Sequence, residues 1–131
     1  MRNITHNTVL RNSLLAAIAL VAAGFMATIH AGSSDRSYLT FNRDVALPGV
    51  VLPAGTYVFE IANPESSHDI VRVSSKNGRV QYMGFTLRAD RPVGLSGNQP
   101  VTFAEARPDT PAPITAWFPL GTSSGREFLY R

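Results

Sequence analysis

Thr56-Tyr57-Val58-Phe59-Glu60-Ile61-Ala62 places Tyr57, Phe59 and Ile61 on one side of an extended chain and Val58 and Glu60 on the other. Such alternation, carried by aromatic and β-branched residues, marks a half-buried strand. Leu52-Pro53-Ala54-Gly55 leads into it. Pro53 presets φ for a turn, and Gly55 can take positive φ before the pleat begins. Asn63-Pro64-Glu65-Ser66-Ser67 closes the strand with a second turn.

Outward from this strand the same pattern recurs. Ser37–Asn42 and Val50–Leu52 precede it, and His68–Ser75 follows with Val71 and Val73 on one face. Lys76-Asn77-Gly78-Arg79 holds an Asn-Gly pair between two strand-like runs, a hairpin signal of the type I′ kind. Val80–Arg88 is the return strand, with Met83, Phe85 and Leu87 on one face; Gly84 within it suggests a bulge or a close backbone approach. Ala89–Gln99 reads as a loop and Arg107–Pro113 as an extended proline-rich connector. Pro100–Glu105, Ile114–Phe118 and Arg126–Tyr130 complete the strands. All 9 prolines fall after residue 47, where they break any long helix. The expectation is an all-β domain, an antiparallel β-sandwich or small barrel of about seven or eight short strands. Tyr57, Phe59, Phe85, Phe103, Trp117 and Phe128 are its expected core rings.

The 131 residues suit one domain and are too few for a two-domain enzyme. Cysteine is absent, which excludes disulfides, iron–sulfur centres and thiolate metal sites. At the N-terminus, Arg2 and Arg11 precede an apolar run of 14 residues, Leu14–Ala27. That is short of the ~20 residues a membrane-spanning helix needs. It fits the helical core of a secretory signal peptide, residues 1–31, cleaved after Ala31 or Ser33. Residues 32–131 are then the β-sandwich domain. Losing Arg2 and Arg11 leaves 10 basic against 9 acidic residues, a net charge of +1. With no cluster of Lys or Arg, this excludes a nucleic-acid partner. Contact with membrane is expected only through the leader, and the location is periplasmic or secreted.

The run Val51-Leu52-Pro53-Ala54-Gly55-Thr56-Tyr57-Val58-Phe59, with Ala116-Trp117-Phe118-Pro119-Leu120-Gly121 and Gly125-Arg126-Glu127-Phe128-Leu129-Tyr130, resembles a family of small exported bacterial all-β proteins. These carry an LPAGTY-type turn and a C-terminal AWF…G…G-x-EF-x-Y signature, and the likeness spans nearly all of residues 32–131. It implies export and an all-β fold and brings no catalytic residues with it. The LPAGTY piece alone is also similar to turns in transthyretin-like and carbohydrate-binding sandwiches.

Chemistry-bearing residues are sparse. His68 is the one histidine after the leader. A zinc or copper site wants three or four imidazole, thiolate or carboxylate ligands, so no metal and no cofactor is expected. A Ser-His-Asp triad could be written from Ser66, Ser67 or Ser96 with His68, but no G-x-S-x-G elbow is present. Glu60, Glu105 and Glu127 offer carboxylates without a spacing that selects a glycosidase pair. No catalytic residue is assigned. The expectation is an exported, non-enzymatic β-sandwich module that acts by binding or by envelope assembly, with an unidentified protein or glycan partner. The alternative is a carbohydrate or small-ligand binder with an aromatic platform at Trp117, Tyr82 and Tyr130. Trp117 serves more naturally as the large central side chain of a small core.

Overall fold

The computed structural model describes residues 28–30, as backbone, and 36–131. Residues 1–27 and 31–35 lie outside the described residues, and with them both expected cleavage points and most of the expected leader. The strands are β1 (Thr28–His30), β2 (Arg36–Phe41), β3 (Val45–Leu47), β4 (Val50–Leu52), β5 (Gly55–Asn63), β6 (Ser67–Ser75), β7 (Val80–Asp90), β8 (Val101–Phe103), β9 (Ala112–Trp117) and β10 (Ser124–Phe128). Among the described residues there is no helix. The fold is all-β, as the alternation requires. Two three-residue strands, β1 and β3, come in addition to the expected set.

The strands form one sheet in the order β1-β2-β5-β6-β7-β10-β9-β3-β4, with β8 on the free side of β9. Every pair is antiparallel except β3–β9. The sheet folds over on itself. Strands β2 and β5 are not neighbours of β9 in the sheet, yet Trp117 Nε1 donates to Ser37 Oγ at 3.1 Å. The Trp117 and Phe59 rings lie 6.1 Å apart, and Phe41 meets Phe103 edge-on at 6.5 Å. Between the two layers sit Leu39, Phe41, Tyr57, Phe59, Val71, Val73, Ile114, Trp117 and Phe128, all buried. Burying each large apolar side chain is worth roughly 1.5–3 kcal/mol, so these rings and branched chains dominate the stability.

Two turns show how local chemistry sets the register. Pro48 and Gly49 join β3 to β4, and Gly49 has φ 75°, the pattern of a type II turn. The Asn77-Gly78 hairpin differs from the type I′ expectation. Only Gly78 has positive φ, at 90°, and no described residue other than glycine does. Gly78 N–H bonds the Ser75 carbonyl at 2.9 Å, and Ser75 N–H bonds that of Arg79 at 2.8 Å. The connection is a type I turn followed by a left-handed glycine, which spares Asn77 the strained conformation.

Gly55 begins β5 with φ 154°, and a Cβ there would meet nothing closer than 3.9 Å. The demand at this position is therefore conformational and not steric. Gly55→Val is expected to destabilise the protein by over ~1 kcal/mol in urea unfolding, and a neutral result would remove that assignment.

Strand β7 corrects one expectation. Met83, Phe85 and Leu87 do share a face, but that face points outward: they are 53%, 67% and 55% exposed. Phe85 is not a core ring. The inward row is Tyr82, Gly84 and Thr86. Tyr82 stacks edge-on against Phe128 at 5.7 Å. Its hydroxyl passes over Gly84, where a Cβ would sit 2.4 Å from it. Thr86 Oγ1 donates to the Asp69 carbonyl at 2.7 Å. The inward row is thus half polar, with the Tyr82 ring against Phe128 and the Thr86 hydroxyl bonded to backbone, and the apolar row of three large side chains faces out. Gly84 therefore marks the close approach of a side chain and not of backbone, and the irregular register of this pair falls between Val73 and Ser74 on β6.

On the outer face, Arg36, Glu60 and Arg72 stand opposite one another on β2, β5 and β6. Arg36 Nη2 lies 2.8 Å from Glu60 Oε2, and Arg72 Nη2 lies 2.5 Å from Oε1. Burial opposes ionisation of Glu60, but hydrogen bonds and charge from Arg72, then Arg36, outweigh it and hold the carboxyl below its ordinary value. A carboxyl depressed on folding stabilises the native state above its unfolded pKa and loses that contribution as the pH falls through the folded value. Glu60→Gln should therefore be less stable than the parent at neutral pH and lose less stability on acidification. Urea unfolding measured between neutral pH and the acid limit checks this, and parallel curves would refute it.

Candidate functional site

Strands β7 and β10 pair with Thr86 opposite Phe128 and, two residues along the same face, Arg88 opposite Arg126. At Thr86 and Phe128 this face is sealed core. At the two arginines the core ends, and the layers part to leave a cleft of about 390 Å³. Ile61, Pro119 and Gly125 are its buried lining, and Arg88, Arg126, His68, Thr122 and Ser124 supply its polar groups. A cleft at the open end of a folded-over sheet is a common place for a ligand.

Two like charges placed directly opposite each other on neighbouring strands repel. Arg126 is compensated: its Nη1 lies 3.1 Å from Asp69 Oδ1, with its own side chain 14% exposed and that of Asp69 59% exposed. Arg88 is exposed and, among the described residues, makes no hydrogen bond or ion pair. The cleft thus holds one tethered guanidinium, one free guanidinium and the lone imidazole of His68.

Its wall is held by Arg91. This side chain donates from Nε to the Thr122 carbonyl at 2.9 Å, and from Nη1 to those of Ser96 and Gln99 at 2.9 and 2.8 Å. Nη2 reaches the carbonyls of Phe118 and Pro119 at 3.4 and 3.2 Å, and the guanidinium lies 5.3 Å from the Phe118 ring centre. All five N–H donors are spent on backbone. Burial pulls its pKa down. Arg91 is therefore a clamp that ties the loop after β7 to the segment before β10.

The residues singled out in the sequence are dispersed. His68 lies at the cleft, exposed. Among the described residues no three His, Asp or Glu side chains gather as a metal site would require. Trp117 has no exposed surface, so its ring is core and gives a ligand no face to stack on. Tyr82 is half-buried against Phe128. Tyr130 is 43% exposed, but its hydroxyl lies 2.7 Å from the Ile114 carbonyl and 3.1 Å from that of Ala46. Burial, and then proximity to Tyr82, raise the Tyr130 pKa. Tyr130 thereby pins the end of the chain across the parallel β3–β9 pair. Sequence reasoning passed over Arg88 and Arg126, since their meeting depends on β7 pairing with β10, which no local pattern encodes.

Searches of family models, curated proteins and solved structures give no match to this chain.

Proposed function

We propose that the protein is an exported, non-enzymatic, envelope-associated binding module that takes a small anionic group, a carboxylate, sulfate or phosphate, in the Arg88–Arg126 cleft. One observation carries this reading: Arg88 and Arg126 stand opposite each other on β7 and β10, both line the cleft, and Arg88 has no partner among the described residues. Guanidinium forks suit planar and tetrahedral oxyanions, and a bound anion relieves the repulsion between the pair. Export rests on the basic start and apolar run of residues 1–31 and on the resemblance described above. Binding without turnover is favoured because arginines hold charge and do not exchange protons near neutral pH, and the His68 side chain makes no hydrogen bond or ion pair among the described residues.

Calorimetric or NMR titration of the purified protein with sulfate, phosphate and glucuronate at low ionic strength tests the reading. Saturable binding is expected, weakened at least tenfold by Arg88→Ala and left unchanged by Arg79→Ala in the distant hairpin. Equal weakening by both variants, or no saturation, would reduce the cleft to diffuse surface charge. Binding of a neutral sugar that is indifferent to Arg88→Ala would return the argument to the glycan-binding alternative.

A further inference from the structure

Strand β1 pairs with β2 along Tyr38–Thr40: Thr28 lies opposite Thr40, Ile29 opposite Leu39 and His30 opposite Tyr38. Both expected cleavage points, after Ala31 or Ser33, fall beyond β1. Removing the leader therefore removes the strand that covers this edge. We propose that β2, once uncovered, pairs with β2 of a second copy of this chain around a two-fold axis; the inference rests on the export reading given above.

The edge itself argues for a strand. An uncovered β2 presents a row of backbone N–H and C=O groups over the six residues Arg36–Phe41, with no proline or lysine to blunt it. The opposite end of the sheet is protected in the usual way: β4 has three residues and is bracketed by Pro48 and Pro53. That β1 occupies the place shows that the edge accepts an antiparallel strand.

The side chains argue for a second copy. A two-fold axis centred on Leu39 puts β2 of the other copy where β1 lay. Leu39 then faces Leu39, Tyr38 faces Thr40, Ser37 faces Phe41 and Arg36 faces Asn42. No like charges meet, and directly opposed residues share a face, so the buried rows of the two copies lie on one side of a continuous sheet. Ser37, Leu39 and Phe41, at 2% exposure each with β1 in place, form the inward row of β2, so the joined sheet extends an existing core. The net charge of +1 on residues 32–131 opposes association only weakly.

The test uses the full chain exported with its own leader. The intact mass of the purified product reports whether the leader has been removed, and sedimentation velocity reports the oligomeric state. A processed product that sediments as a dimer is expected, while a chain that begins at Thr28, and so keeps β1, stays monomeric. Because the sequence has no cysteine, register can be read by cross-linking. Tyr38→Cys and Thr40→Cys chains, mixed and oxidised, should give a covalent dimer in severalfold higher yield than either alone, and Val51→Cys on β4 should give none. A processed but monomeric product, or cross-linking of Val51→Cys in equal yield, would overturn the pairing alone. A product that retains its leader would overturn the export reading as well.

Discussion

Trp117→Ala is expected to destabilise the protein by about 3–5 kcal/mol. The indole is fully buried, lies 6.1 Å from the Phe59 ring and joins the two layers through Ser37. Truncation removes the largest buried side chain, leaves a cavity between the layers and strands the Ser37 hydroxyl at 2% exposure. Against a total stability of roughly 5–15 kcal/mol for an ordinary domain, little margin remains. Trp117→Phe should recover most of the packing but still strand the Ser37 hydroxyl, at a cost of about 1–3 kcal/mol. Urea unfolding followed by far-ultraviolet circular dichroism is the suitable measurement, because the chain has 1 tryptophan and the variant loses the fluorescent probe. A loss under ~1 kcal/mol for the alanine variant would contradict the packing described for the two layers.

Gly125→Ala is expected to be nearly as damaging, for the opposite reason. A Cβ at Gly125 would sit 2.1 Å from the Trp117 carbonyl oxygen, 2.5 Å from Phe118 Cδ1 and 2.9 Å from Phe118 Cα. Two of these neighbours are backbone, so relief requires β9 and β10 to part. Overpacking costs about 1–3 kcal/mol where side chains can shift, and more where they cannot. The upper end of that range corresponds to a drop in Tm of roughly 10 °C or more for a domain of this size. Gly84→Ala is the informative contrast. Its clash is with the hydroxyl end of Tyr82, which can swing aside. The Gly125 variant should therefore melt well below the Gly84 variant, and the reverse order would contradict the close β9–β10 contact.

The fold was legible wherever burial on one face imposed a period of two. Tyr57, Phe59 and Ile61 are inward on β5, and Val71 and Val73 on β6, as their alternation demands. Glu60 finds the arginine partnership its charge calls for. Strand β7 marks the limit of what alternation encodes. Alternation correctly grouped Met83, Phe85 and Leu87, but it carries no information about which group meets the core. Tyr82 stacking on Phe128 and the bond from Thr86 to the Asp69 carbonyl made that choice, and both depend on partners remote in the chain. The cleft was illegible for the same reason. Arg88 and Arg126 each read as an ordinary surface charge, and only their cross-strand pairing makes them a site. The aromatic candidates were read by residue type, and the structure uses Trp117 for packing and Tyr130 to bind backbone carbonyls.

Strand β10 follows the other nine described strands in sequence, yet it lies inside the sheet between β7 and β9. As the chain emerges from the ribosome, the hairpins of β5, β6 and β7 can form early, but no strand pairing joins them to β9 and β3 until Ser124–Phe128 is available. The two halves must wait as partial sheets with bare edges, the kind of species that aggregates or recruits a chaperone. Completion of the hydrogen-bonded sheet comes as a closure by β10, which keeps the two halves loose and threadable until Ser124–Phe128 has been made.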